Sequence, residues 1–283
     1  MNNQIGFMQG RLCEQVNGKI QAFPWQFWEN EFPAAQAIGM HLMEWTLDDE
    51  NLYENPLLTP TGQEKIKSLK LKHQISIPSL TGDCFMQAPF WKANRAIRSK
   101  LQNDFLAIVH ACSKLSIEMI VVPLVDNGRL DTEEQTEVLI NFLLGQRSLL
   151  NRNNVRVIFE SDLPPAKLSE LLTHFPNDTF GINYDIGNSA ALGFSPEEEL
   201  AAYGERILNV HVKDRLFNGT TVPLNTGSAN FDSVFAGLSK LSYKGNLILQ
   251  TARAIDGQHS VAIETYRDMT AQWINKHFLA NLN

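Results

Sequence analysis

The chain has 283 residues, 43% of them hydrophobic and 19% charged, and a formal net charge of −7. That balance excludes a sequence-independent nucleic-acid binder, which needs a basic face for phosphates, while a few local arginines can still serve a small anionic substrate. No stretch approaches about 18 uninterrupted apolar residues, and the start M-N-N-Q-I-G-F-M-Q-G-R lacks the basic flank and apolar run of a signal peptide, so a cytoplasmic protein with no membrane partner is expected.

Short apolar runs alternate with longer stretches of helical period along the whole chain. In order they predict a strand at 5–8, helix 25–38, strand 41–45, helix 61–73, strand 75–80, helix 91–115, strand 119–123, helix 132–151 and strand 155–159. Helix 166–175, strand 181–184, helix 195–203, strand 207–212, helix 231–242, strand 246–249 and helix 260–282 follow. The start Ser195-Pro196-Glu197-Glu198 suits a helix: serine caps, proline fits the first turn and the acids favour the positive end of the dipole. Eight βα units predict a single domain over residues 1–283, folded as a closed (β/α)8 TIM barrel. An open doubly wound sheet would carry a glycine-rich phosphate loop early, and no G-x-G-x-x-G follows the first strand. Cys13, Cys84 and Cys112 are odd in number and contain no C-x-x-C, so neither a disulfide framework nor a thiolate zinc site is expected.

In a barrel all strands end at one mouth, and the ends of the last four are polar. The fifth ends at Glu160, the sixth at Asp185, the seventh carries His211 in R-I-L-N-V-H-V-K-D, and the eighth runs into Gln250. Strand alternation puts Glu160 on the face of Ile158, Asp185 with Asn183, His211 with Asn209, and Gln250 with Ile248. Two carboxylates, an imidazole and an amide suit one divalent cation, Mn²⁺, Co²⁺, Mg²⁺ or Zn²⁺, with open positions for two substrate oxygens. Singly, Glu160 or Asp185 could cap a helix, and a lone histidine is more often structural. Four such ends on consecutive strands favour a site.

The stretches V-I-F-E-S-D at 157–162, Y-D-I-G-N at 184–188, V-H-V-K-D at 210–214 and V-P-L-N-T-G-S-A-N-F-D at 222–232 resemble the sugar phosphate isomerase/epimerase family of xylose isomerase-like TIM barrels, near the pentulose-5-phosphate and ketose 3-epimerases. The resemblance covers nearly the whole chain. It implies Glu, Asp, His and Glu as ligands of one metal, with the two glutamates on opposite faces of the sugar exchanging the proton. Glu160, Asp185 and His211 match, Asn188 stands where many relatives place a substrate-binding histidine, and Gln250 departs from the pattern.

A glutamine can ligate through its carbonyl oxygen but accepts no proton at neutral pH, so two-base epimerisation by Glu160 and Gln250 is not expected. Aldose–ketose isomerisation needs only one base, and Glu160 is the candidate. Asp256 or His259, after the eighth strand, is an alternative source of the missing acid, though a solvated turn explains them better. Arg11 and Arg253 are candidates for gripping a phosphate or carboxylate, Glu44 for accepting from sugar hydroxyls or pairing with a nearby cation, and Asp214 for orienting His211 or a substrate hydroxyl. Trp25, Trp28, Phe85, Phe90 and Trp91 could wall the pocket, pack in the core or serve a homo-oligomer.

The reading is a metal-dependent isomerase or epimerase-like enzyme of a small sugar or sugar phosphate. A lyase or dehydratase on a keto-polyol is a close variant, and a non-catalytic sugar-binding barrel is the rival from another class. Phosphodiester cleavage would call for more histidine ligands and a basic groove.

Overall fold

The computed structural model describes residues 4–279. Eight parallel strands close into a barrel: β1 (Ile5–Met8), β2 (Leu42–Thr46), β3 (Ser76–Thr81), β4 (Met119–Leu124), β5 (Arg156–Ser161), β6 (Phe180–Asp185), β7 (Ile207–Val212) and β8 (Asn246–Leu249), each paired with its sequence neighbours and β8 with β1. Outward side chains such as Phe7, Trp45, Phe159 and Val210 pack beneath the helices in one large core. The inside of the barrel is filled by small separate layers, Met8 with Leu42 and Ile248, and Met119 with Val121 and Ile158. Gly6 belongs to this tight interior, since a Cβ there would lie 2.1 Å from a Leu42 methyl.

The helices follow the expected order with physical corrections at their ends. The helix expected at 25–38 is only Glu31–Ala37. Pro33 lacks an N–H and its ring would press on the carbonyl of residue 29 were the helix to begin earlier, and residues 25–30 form successive turns instead. The helix expected at 91–115 begins at Arg95, where Asn94 accepts from the Ile97 N–H. The one expected at 132–151 breaks after Gly145, a weak helix former, and resumes as Arg147–Arg152. The last helix runs His259–Ile274 and widens into a π turn over Asn275–Leu279; the remainder of the expected 260–282 lies outside the described residues. Two short helices arise in segments read as loops, Asp83–Gln87 after β3 and Ile186–Leu192 after β6. The three cysteines are buried and unpaired, as expected.

The loop after β1 is shaped by one carboxylate. Gly10, at φ +90°, turns its N–H to both oxygens of the fully buried Glu31 (2.8 and 2.9 Å), and Leu12 N–H donates to the same group at 3.0 Å. Burial pushes the Glu31 carboxyl up to about 7 against these bonds. Glu31→Ala strands two buried N–H groups, each costing about 1–3 kcal/mol, so urea unfolding is expected to show a loss of about 3 kcal/mol at unchanged slope. An unmoved midpoint would refute this role.

Candidate active site

Glu160 lies one residue before the end of β5, and both its oxygens accept hydrogen bonds from amides. Asn183 Nδ2 donates to Oε2 at 2.9 Å and Asn188 Nδ2 to Oε1 at 2.7 Å. Asp185 ends β6 and caps the Ile186–Leu192 helix, its Oδ1 accepting from Asn188 N–H at 2.8 Å while Oδ2 accepts from Lys213 Nζ at 3.1 Å. His211, on β7, pairs in register with Asp185 on one side and Ile248 on the other. Gln250 follows β8 directly; its Oε1 accepts from Lys213 Nζ at 3.3 Å and its Nε2 donates to Gln21 Oε1 at 3.0 Å.

The imidazole of His211 is fully buried between carboxylates. Nε2 is 2.7 Å from Glu44 Oε1, whereas Nδ1 lies 3.1 Å from Glu160 Oε2, 3.9 Å from Asp185 Oδ2 and 3.0 Å from Asn183 Nδ2. Burial alone would lower its pKa; Glu44, then Glu160, outweigh that and hold the ring up to about 10. With Nε2–H donated to Glu44, the Nδ1 lone pair faces the two rim carboxylates. Asn183 Nδ2 is a donor within reach of that lone pair, and a cation, proton or metal, between the ring and the carboxylates would satisfy it as well.

One ligand atom each from Glu160, Asp185 and His211 lie within 4.8 Å of one another. Two ligands on opposite sides of one ion at about 2.1 Å stand about 4.2 Å apart, so a small contraction suffices. The donor set therefore fits a divalent cation, and Gln250 Oε1 is joined to Asp185 Oδ2 through the Lys213 ammonium.

The other sequence candidates divide. Arg11 and Asn188 line the cavity of about 620 Å³ above this centre, together with Glu160, Lys213 and Gln250. Glu44 does not: it is fully buried inside the barrel, where it accepts from Ser79 Oγ at 2.6 Å and Asn209 Nδ2 at 2.9 Å besides facing His211. It orients the imidazole rather than meeting sugar hydroxyls. Asp214 makes no contact with His211; it accepts N–H bonds from Thr226, Gly227 and Ala229 and folds the loop behind the rim. Arg253 donates to the Gly10 and Cys13 carbonyls and lies outside the cavity. Asp256 and His259 group with Glu14 apart from the cavity, and none of the five candidate aromatics lines it. Phe85, Phe90 and Trp91 are buried in the core.

Several cavity residues had no role in the sequence reading. Lys213 stands two residues past His211, so strand alternation could have placed it; its Nζ also donates to Asn188 Oδ1 at 3.0 Å. Arg215 donates to the same Asn188 oxygen at 2.8 Å, fixing that side-chain amide. Gln21 comes from the loop after β1 and Asp83 from the first position of a five-residue helix, too short for periodicity to mark either.

A model of the xylose isomerase-like TIM barrel family matches residues 32–275. The Haemophilus influenzae protein SgbU, provisionally named an L-ribulose-5-phosphate 3-epimerase, is 23% identical over 239 residues, covering 79% of this chain and 83% of its own. Among solved structures, the IolI protein with a bound zinc atom superposes with a TM-score of 0.76 at 16% identity, covering 97% of this chain and 99% of its own. A D-allulose 3-epimerase from Methylomonas sp. in complex with D-allulose gives 0.75 at 12% identity, over 96% and 97%. At such identities these two are likenesses of fold. No helix among the described residues is long and apolar enough to cross a membrane.

Proposed function

The chain belongs to the xylose isomerase-like TIM barrel family, and on that premise we propose that it is a divalent-metal-dependent isomerase or epimerase of a small ketose or ketose phosphate, with Glu160 taking the proton next to the carbonyl. The observation that carries this reading is Glu160 itself. It is a carboxylate at the rim of a cavity, hydrogen-bonded on both oxygens by side-chain amides and 3.1 Å from the His211 imidazole. A base so held has its direction fixed. Glu160, Asp185, His211 and Gln250 would hold the ion, which when bound supplies a Lewis acid for the developing oxyanion.

The chain's own residues do the rest. Glu44 holds the His211 tautomer, Asn183 and Asn188 aim Glu160, and Asn188 is in turn fixed by Lys213 and Arg215. Support for a phosphorylated substrate comes from the name of the curated relative and from Lys213, Arg215 and Arg129 in the cavity wall.

The test is proton–deuterium exchange in D₂O over a panel of ketoses and ketose phosphates, with each of Mn²⁺, Co²⁺, Mg²⁺ and Zn²⁺. Label entering one carbon of one substrate is expected. No exchange with any member would refute the reading.

Lys213 competes with the ion, because its ammonium rests on Asp185 and Gln250. Lys213→Met is expected to tighten divalent-ion binding roughly tenfold, about 1.4 kcal/mol, measured by calorimetry. Weaker binding would show that the lysine supports the centre.

A further inference from the structure

We propose that Asp83 is the second proton-transfer group of this site, acting on the face of the substrate turned away from Glu160. The proposal rests on proton abstraction by Glu160 as set out above and answers what replaces the glutamate lost at Gln250.

The geometry comes first. Glu160, Asp185, His211 and Gln250 issue from β5, β6, β7 and β8, four successive strands and so one half of the rim. Asp83 opens the short helix after β3, which stands four places round the ring from β7, on the opposite half. It lines the same cavity as Glu160 and Gln250. A substrate bound against the first half therefore presents its far side to Asp83. Asp256 and His259, the alternatives offered by sequence, do not reach the cavity.

The contacts suit proton transfer. Asp83 Oδ2 accepts from Gln21 Nε2 at 2.8 Å, and Gln21 Oε1 in turn accepts from Gln250 Nε2 at 3.0 Å. This relay fixes all three groups and links the carboxyl to the amide that stands in the family's second acidic position. Asp83 makes no ion pair among the described residues, and its Oδ1 is left for a ligand. Asp48 on the loop after β2, Glu160 on β5, His211 on β7 and Arg11 on the loop after β1 are the charged groups that face it. Burial, then Asp48, pushes its carboxyl up to about 7, the range in which one group can both give and take a proton.

The step balances without a further reactant. Glu160 takes the proton from the carbon beside the carbonyl, and the C–H electron pair moves into an enediolate. Asp83, protonated, returns a proton to the other face of that carbon as the enediolate pair collapses to re-form the carbonyl. Exchange with water then resets both carboxyls.

Asp83→Asn keeps the shape and removes the proton donor. With the substrate found in the panel, epimer formation is expected to fall about a hundredfold or more, while solvent exchange at the abstracted position stays within about threefold of the parent, since Glu160 still works. Above pH 7 the parent's epimer formation should decline as Asp83 loses its proton, and the exchange catalysed by Asp83→Asn should lack that limb. Unchanged epimer formation in Asp83→Asn, or equal loss of exchange and epimer formation, overturns the proposal. A parent that exchanges no proton refutes the proposed function itself.

Discussion

Glu160→Gln is expected to lower kcat about a thousandfold, the scale of a lost general base, and to abolish solvent exchange at the reacting carbon. The amide matches the carboxylate in shape but takes up no proton. Orientation adds to the loss. Both oxygens of Glu160 accept from side-chain amides, Asn183 on one and Asn188 on the other, so the new NH₂ must face a donor and one hydrogen bond is lost whichever way it turns. The neighbouring imidazole loses an anionic partner at 3.1 Å as well. Steady-state kinetics should show the effect mainly in kcat, with substrate affinity changed far less, and a thermal melt separates it from misfolding. Exchange continuing at the parent's rate would remove Glu160 from the mechanism.

Metal binding is expected to strengthen about tenfold for each pH unit gained between pH 6 and 9, a hundredfold or more across the window. The sign follows from His211. In the metal-free protein its pKa is raised to about 10, so throughout this window the ring carries a proton that an ion at Nδ1 must displace. One proton should leave per ion bound, and calorimetry in buffers of different ionisation enthalpy counts it. The same shift acts on stability. A histidine raised above its ordinary value stabilises the folded metal-free chain fully below about 6.5, and this contribution fades as pH climbs towards 10. The metal-free protein should therefore lose stability with alkali while the loaded protein is protected. A pH-independent affinity would mean that Nδ1 is not the ligand atom.

The order of strands and helices was legible because hydrophobic period changes from two to 3.6 at each βα junction and local signals such as Ser195 and Thr132 mark helix starts. Positions 160, 185 and 211, whose ligand atoms the fold brings within 4.8 Å of one another, share one sequence signal with 250: they sit where apolar strands turn polar. What alternation does not convey is depth. Glu44 also lies near a strand end, yet β2 runs on to Thr46, so its carboxylate meets Ser79 and Asn209 inside the barrel instead of solvent at the rim. Asp214 shares a motif with His211, but three residues on in an extended chain it points to the opposite face, where its carboxylate accepts from three loop N–H groups. Pro33 and Gly145 were readable as helix limits and explain the two largest boundary errors. Asp83 and Gln21 were not readable, because their partners are distant in sequence and no local pattern announces the contact.

The junction of the first and last strands carries one more implication. Arg11 donates to the Thr251 carbonyl across 240 positions of sequence, and Arg253 reaches back to the Gly10 and Cys13 carbonyls. Gln250 takes its place only beside this junction, bonded to Gln21 from the first loop. A chain emerging from the ribosome can thus complete six of its βα units with the ring still open and Gln250 not yet made. Closure comes in one step, when the C-terminal strand docks on the N-terminal one, so the last strand shapes the first loop as much as it completes the sheet.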